Sequence, residues 1–92
     1  MQSNLFTFVC EFEGGTYLSQ AWAPDAVQAV REWAAMLERE RPMGAVSDRI
    51  ARAVFENEET PVPISGLTGV WCWSATVADS LVLTDIILSA RP

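Results

Sequence analysis

An α+β fold follows from three observations on this 92-residue sequence. Apolar and polar residues alternate over 5–22, they alternate again over 70–89, and helical periodicity occupies the stretch between. Alternation with period two marks half-buried strands, and recurrence every three to four residues marks an amphipathic helix. The pattern predicts a single four-stranded antiparallel sheet made from two β-hairpins, order ββααββ, with a long helix packed on one face. Residues 1–92 are expected to form one domain, because two halves would each fall near or below the size at which a core sustains itself.

The first hairpin places Phe6, Phe8, Cys10 and Phe12 on one face and Leu5, Thr7, Val9, Glu11 and Glu13 on the other. Gly14-Gly15 can take the positive φ angles of a tight type I′ turn. A turn centred there sets Phe12 opposite Tyr17, Cys10 opposite Ser19 and Phe8 opposite Ala21. The aromatic-rich face is the expected core face.

Pro24 suits a first helical turn, and Asp25 beside it complements the positive end of the helix dipole. Val27, Val30, Trp33, Ala34 and Leu37 then recur at helical spacing. The helix should stop near Arg41, because Pro42 disfavours helical dihedrals in the residue before it. Ser47 is placed to cap a shorter helix carrying Ile50, Ala53, Val54 and Phe55, fading out over 56–59. Two prolines make 60–66 an extended connector, since they exclude helix and central strand alike.

The second hairpin turns at Asp79-Ser80, setting Trp73 opposite Ile86, Trp71 opposite Leu88, Ala75 opposite Thr84 and Val77 opposite Val82. That face is almost wholly apolar and should join the aromatic face of the first hairpin beneath the long helix.

Composition narrows function mostly by exclusion. Four Trp, four Phe and one Tyr supply a large core for so short a chain. The net charge is −6 and all six basic residues are Arg, five of them at 31, 39, 41, 49 and 52 among interleaved acids. No basic stripe emerges, so neither nucleic acid nor an anionic membrane is an expected partner. No apolar run is long enough to span a bilayer, and no secretory signal is visible, so a cytoplasmic location is the default. Cys10 and Cys72 read as free thiols within strands.

Histidine and lysine are both absent. That removes Ser-His-Asp and Cys-His pairs, His-ligated zinc, Schiff-base chemistry and a phosphate-loop lysine. No cofactor and no catalytic or metal-ligating residue is expected. Carboxylates remain: Glu11 and Glu13 on one hairpin and Asp85 on the other resemble a paired acid/base site only if their strands are adjacent. Charged residues on the wet face of a half-exposed sheet are the plainer reading. Glu56, Glu58 and Glu59 form an acidic patch whose spacing fits no calcium loop. Trp71 and Trp73 share the core face, which makes them packing residues before they are a ligand platform.

The far face of the sheet resists a plain reading. It carries Leu5, Val9, Leu18 and Trp22 from the first hairpin and Val70, Cys72, Leu81, Leu83 and Ile87 from the second. That is more apolar surface than a monomer usually leaves wet. Its cover is the short helix, a second copy, or another protein, and a homodimer with partial cover from the helix is the expectation. The expected function is therefore a protein-interaction module, dimeric or partner-binding in the manner of immunity proteins or antitoxins, with acidity suiting a basic partner. Val9, Leu18, Trp22, Leu83 and Ile87 are its expected apolar anchors, and Glu11, Glu13 and Asp85 its charged rim. The alternative is a small histidine-independent enzyme or ligand-binding domain with a carboxylate-lined pocket.

The run from Phe6 to Tyr17, followed by an amphipathic helix, resembles the opening of HicB-like antitoxin domains. The likeness covers under half the chain. It departs at Trp22-Ala23-Pro24, which runs straight into helix where the family has a further strand, and it implies no function here.

Overall fold

The computed structural model describes residues 3–56 and 60–91. Its elements are β1 (Asn4–Phe12), β2 (Gly15–Ala23), α1 (Ala26–Glu40), α2 (Val46–Glu56), β3 (Val62–Pro63), β4 (Val70–Val77) and β5 (Ser80–Ala90). The strands form one antiparallel sheet in the order β2-β1-β5-β4-β3, so the hairpins join through β1 and β5. The α+β class holds, but the expected four strands are five. The proline connector adds a two-residue strand in which Val62 pairs with Cys72 and Pro63 with Trp71. Proline is admissible there because β3 is an edge strand, whose outer N–H positions need no partner. The expected acidic patch includes Glu58 and Glu59, which lie outside the described residues.

Both hairpins turn one residue earlier than expected. Glu13 and Gly14 (φ 47° and 80°) form the first turn, and Ala78 and Asp79 (φ 53° and 64°) the second. Phe12 therefore faces Gly15 instead of Tyr17, and Trp73 faces Thr84 instead of Ile86. The adjacent glycines do different jobs. Gly14 supplies a left-handed turn residue, whereas Gly15 is strand, and a Cβ on it would meet the Tyr17 hydroxyl at 2.8 Å and its ring at 2.9 Å. A shift of two residues leaves every side chain on its expected face, because alternation has period two.

The long helix is N-capped by Asp25, whose Oδ1 accepts the Gln28 N–H at 2.8 Å, so Pro24 precedes the helix rather than opening it. It ends at Arg41, held left-handed (φ 49°) before Pro42, with the Arg41 N–H donating to Leu37 O. Its buried side is Ala26, Ala29, Val30, Trp33, Ala34 and Leu37; Val27, assigned to the core by periodicity, is exposed. Ser47 is not the cap of α2, which begins one residue earlier. It is fully buried and accepts the Met43 N–H at 2.9 Å, fastening the inter-helix turn.

One core unites the sheet and both helices. The Trp33 ring stacks on Phe8 at 5.6 Å and meets Trp73 edge-on at 6.0 Å, and Phe6 meets Trp71 edge-on at 5.8 Å. Ile50, Ala51 and Val54 bring α2 into the same core, beside α1 and over β4. Both helices therefore lie on the same side of the sheet, and α2 gives the far face none of the expected cover.

Two measurements of unfolding free energy check this account. Trp33→Ala empties the centre of the aromatic cluster and is expected to cost about 3–5 kcal/mol, a large part of the ~5–15 kcal/mol typical of a domain. Thr84 makes the opposite case: its buried Oγ1, and Nε1 of its cross-strand neighbour Trp73, have no hydrogen-bond partner among the described residues. Thr84→Val removes an unsatisfied hydroxyl and is expected to stabilise by about 1 kcal/mol. A loss instead would mean that the hydroxyl holds a buried water.

Candidate interaction surface

The face away from the helices is assembled from alternate residues of all five strands. Reading across the sheet at mid-height, the pairing sets Leu18 beside Val9, Val9 beside Asp85, Asp85 beside Cys72 and Cys72 beside Val62. One row toward the hairpin turns run Thr16, Glu11, Leu83 and Ser74. One row the other way run Gln20, Thr7, Ile87 and Val70, and beyond them Trp22 pairs with Leu5. All five expected anchors share this face. Leu18 is 70% exposed, Trp22 57%, Leu81 60% and Val62 63%.

The face is less uniformly apolar than the alternation implies. Gln20 Nε2 donates to Thr7 Oγ1 at 3.0 Å, Thr7 Oγ1 shares a short hydrogen bond with Ser89 Oγ, and Ser89 Oγ also donates to Ile87 O. This polar ladder separates the Trp22–Leu5 pair from the Leu18–Val9 pair.

The three expected rim carboxylates take three different positions. Glu11 is exposed in the row that ends β1. Glu13 is a turn residue, and its Oε2 accepts the Ser80 hydroxyl at 3.0 Å, linking the turn of the first hairpin to the start of β5. Asp85 is not at the rim. It sits half-buried in the middle of the face, with Val9 and Cys72 on its flanking strands and Leu83 and Ile87 on either side along its own. Glu11 and Glu13 border an open hollow of about 340 Å³ with Leu81 and Leu83, and Asp85 is not part of it.

Val62 also belongs to the face, although its proline-flanked segment reads in the sequence as unpaired connector. The signal was there in Pro61-Val62-Pro63, a proline spacing that an edge strand tolerates. Three of the six arginines have partners: Arg31 lies 5.0 Å over the Phe55 ring, Arg39 pairs with Glu40 at 3.4 Å and Arg41 with Asp48 at 3.1 Å. Arg49 and Arg52 border a separate open cleft of about 500 Å³ between α2 and β4.

Among the described residues no group of three or more acids and thiols is placed to hold a metal ion, and no helix is long and apolar enough to cross a membrane. No family model, curated protein or solved structure matches the chain, so the likeness of residues 6–17 to HicB-like antitoxin domains goes no further.

Both thiols are free. Burial pushes the pKa of Cys10 up; the Thr84 hydroxyl on the neighbouring strand, which makes no full hydrogen bond with the thiol, pulls against that rise, and the charge of Glu11 adds to it. Burial also raises that of Cys72, and the negative charge of Asp85 adds to the rise. A pKa raised by folding means that the native state holds its proton more tightly than the unfolded chain. The associated stability is complete below the ordinary thiol pKa and is lost as pH climbs through the folded value. Unfolding free energy is therefore expected to fall above about pH 9, and Cys10→Ala should remove part of that slope. A thiol reagent at pH 8 should react faster with Cys72 than with Cys10, and with Cys10 only on unfolding.

Proposed function

We propose that this chain is a protein-interaction domain that works through the sheet face opposite its helices. The observation that supports this is the exposure of Leu18, Trp22, Leu81 and Val62 together on one face, by more than half each. Isolated exposed apolar residues need no explanation, but apolar residues gathered on one sheet face, with Val9, Leu83 and Ile87 around Asp85 and Trp22 beyond the polar ladder, mark an interaction site.

Asp85 specifies the kind of partner. A carboxylate at the centre of an apolar interface loses its water when the faces close, and that cost is several kcal/mol unless a cation or strong donors replace the water. None of the five strands carries an arginine. A second copy packed face to face would bury both Asp85 side chains without a counter-charge, so the expected face-to-face homodimer is a poor occupant. A basic protein offering an arginine or lysine inside an apolar surround is a good one. The net charge of −6 would also speed its approach at low salt. This is the manner in which small acidic immunity proteins or antitoxins neutralise basic targets, and we assign the chain to that class of activity.

Nile red fluorescence and solution mass test the face without knowledge of the partner. The wild-type chain is expected to bind the neutral dye, and Leu83→Glu, a second carboxylate in the row beside Asp85, to weaken binding at least fivefold. Asp85→Leu is expected to let two faces close on each other, adding an association step and hiding the dye site. A wild type that binds no dye, with an Asp85→Leu variant of unchanged mass, would sink the reading.

A further inference from the structure

The two edges of the sheet are built differently. At one edge stands β3, two residues long and containing Pro63, and proline and shortness are both devices that keep an edge from recruiting another strand. At the other stands β2, nine residues from Gly15 to Ala23. It has no charged residue, no proline and no bulge, and its register with β1 is unbroken. A long, uncharged, regular edge in a chain of net charge −6 is a place where two copies can meet without their charges.

The groups that β2 offers can be named. The pair Phe12–Gly15 closes a two-residue turn and is therefore hydrogen-bonded, and hydrogen-bonded pairs alternate along an antiparallel ladder. Gly15, Tyr17, Ser19, Ala21 and Ala23 thus turn their backbone groups toward β1. Thr16, Leu18, Gln20 and Trp22 turn theirs outward, four N–H and four C=O groups that no strand pairs among the described residues.

We propose that a second copy of the chain adds to this edge, β2 against β2, about a two-fold axis through Ser19, giving a continuous ten-stranded sheet. Ser19 then lies opposite its counterpart in a pair without hydrogen bonds, Leu18 opposite Gln20, and Thr16 opposite Trp22. This register pairs all four outward residues of each strand; moving the axis to Leu18 or Gln20 leaves one of them beyond the partner strand. On the far face Trp22 falls diagonally across from the other copy's Leu18, within reach for large side chains, so the two most exposed apolar groups of β2 cover each other. A symmetric pairing of identical strands also closes the assembly at two. Glu32 and Glu40 border the clefts between α1 and β2, so both copies bring carboxylates to the margins, and added salt is expected to tighten the dimer. The inference rests on the backbone of β2 and goes beyond the face reading; in the dimer Leu18 and Trp22 pass to the seam while Val9, Leu83, Ile87 and Val62 around Asp85 stay open to a partner, so either can fail alone.

Sedimentation equilibrium with Gln20→Pro is the test. The Gln20 N–H points away from β1, so proline there removes no backbone bond of the fold and costs only the exposed side-chain bond to Thr7, yet it deletes an intermolecular donor at the centre of the pairing. The wild type is expected at twice the monomer mass at ~100 µM. Gln20→Pro should raise the dissociation constant at least tenfold, with circular dichroism and Nile red binding retained. Ser19→Cys is expected to give a disulfide-linked dimer under mild oxidation, since residues facing each other at the axis lie within disulfide range. If Gln20→Pro fails to fold, that cross-link decides: its formation supports the pairing and its absence overturns it. A wild type that stays monomeric overturns the proposal, as does a dimer that Gln20→Pro spares and Leu83→Glu splits. That last pattern would leave the face reading intact while refuting the edge.

Discussion

The packing of Trp33, stacked on Phe8 and edge-on to Trp73, is the interaction on which the rest of the molecule depends. It draws one ring from the helix, one from the first hairpin and one from the second. Neither hairpin buries its aromatic face alone, and two-stranded hairpins are marginal in water. With the ring of α1 as a wedge, both present the same face upward and join edge to edge through β1 and β5. The consequence for function is geometric. Once the aromatic face is committed to the helices, every alternate residue of all five strands is committed to the opposite face.

That commitment was legible in the sequence, and the register was not, for one physical reason. Alternation has period two, so any slip by an even number of residues preserves the faces. Gly14-Gly15 looked like the turn because both residues tolerate positive φ, but Glu13 occupies the left-handed region while Gly15 lies beneath the Tyr17 ring. Ala78 and Asp79 displace Asp79-Ser80 in the same way. The strand order was legible only in part. Three phenylalanines on one face of β1 belong beneath the helix at the centre of the sheet, whereas Tyr17, Ser19 and Ala21 suit an edge. The position of α2 was not legible, since Ile50, Ala51 and Val54 fit either face of a sheet equally well.

The candidate surface was visible in composition and misread in detail. Its apolar members were identified by parity, which the slipped register did not disturb. From the sequence Asp85 reads as rim, because charge on a strand usually means an edge or a wet face. Only the pairing of β5 with both β1 and β4 puts it at the centre. The same pairing added Val62, since a two-residue strand leaves almost no alternation to read.

An acid at the centre of an apolar face and an uncharged strand at its border impose opposite selection on what can bind. Burial of Asp85 is unfavourable against anything that lacks a cation, so the face discriminates by what it rejects as much as by what it holds. On the reading proposed here, another copy of this chain is among the surfaces it rejects. The edge strand discriminates scarcely at all by side chain, because its bonding groups are backbone, and what keeps strange strands away is the steric and charge setting around it. Self-pairing there would occupy the permissive site and leave the selective one open, doubled across a continuous sheet. In that arrangement two Asp85 carboxylates lie on one surface, and a basic partner with two-fold symmetry gains from both.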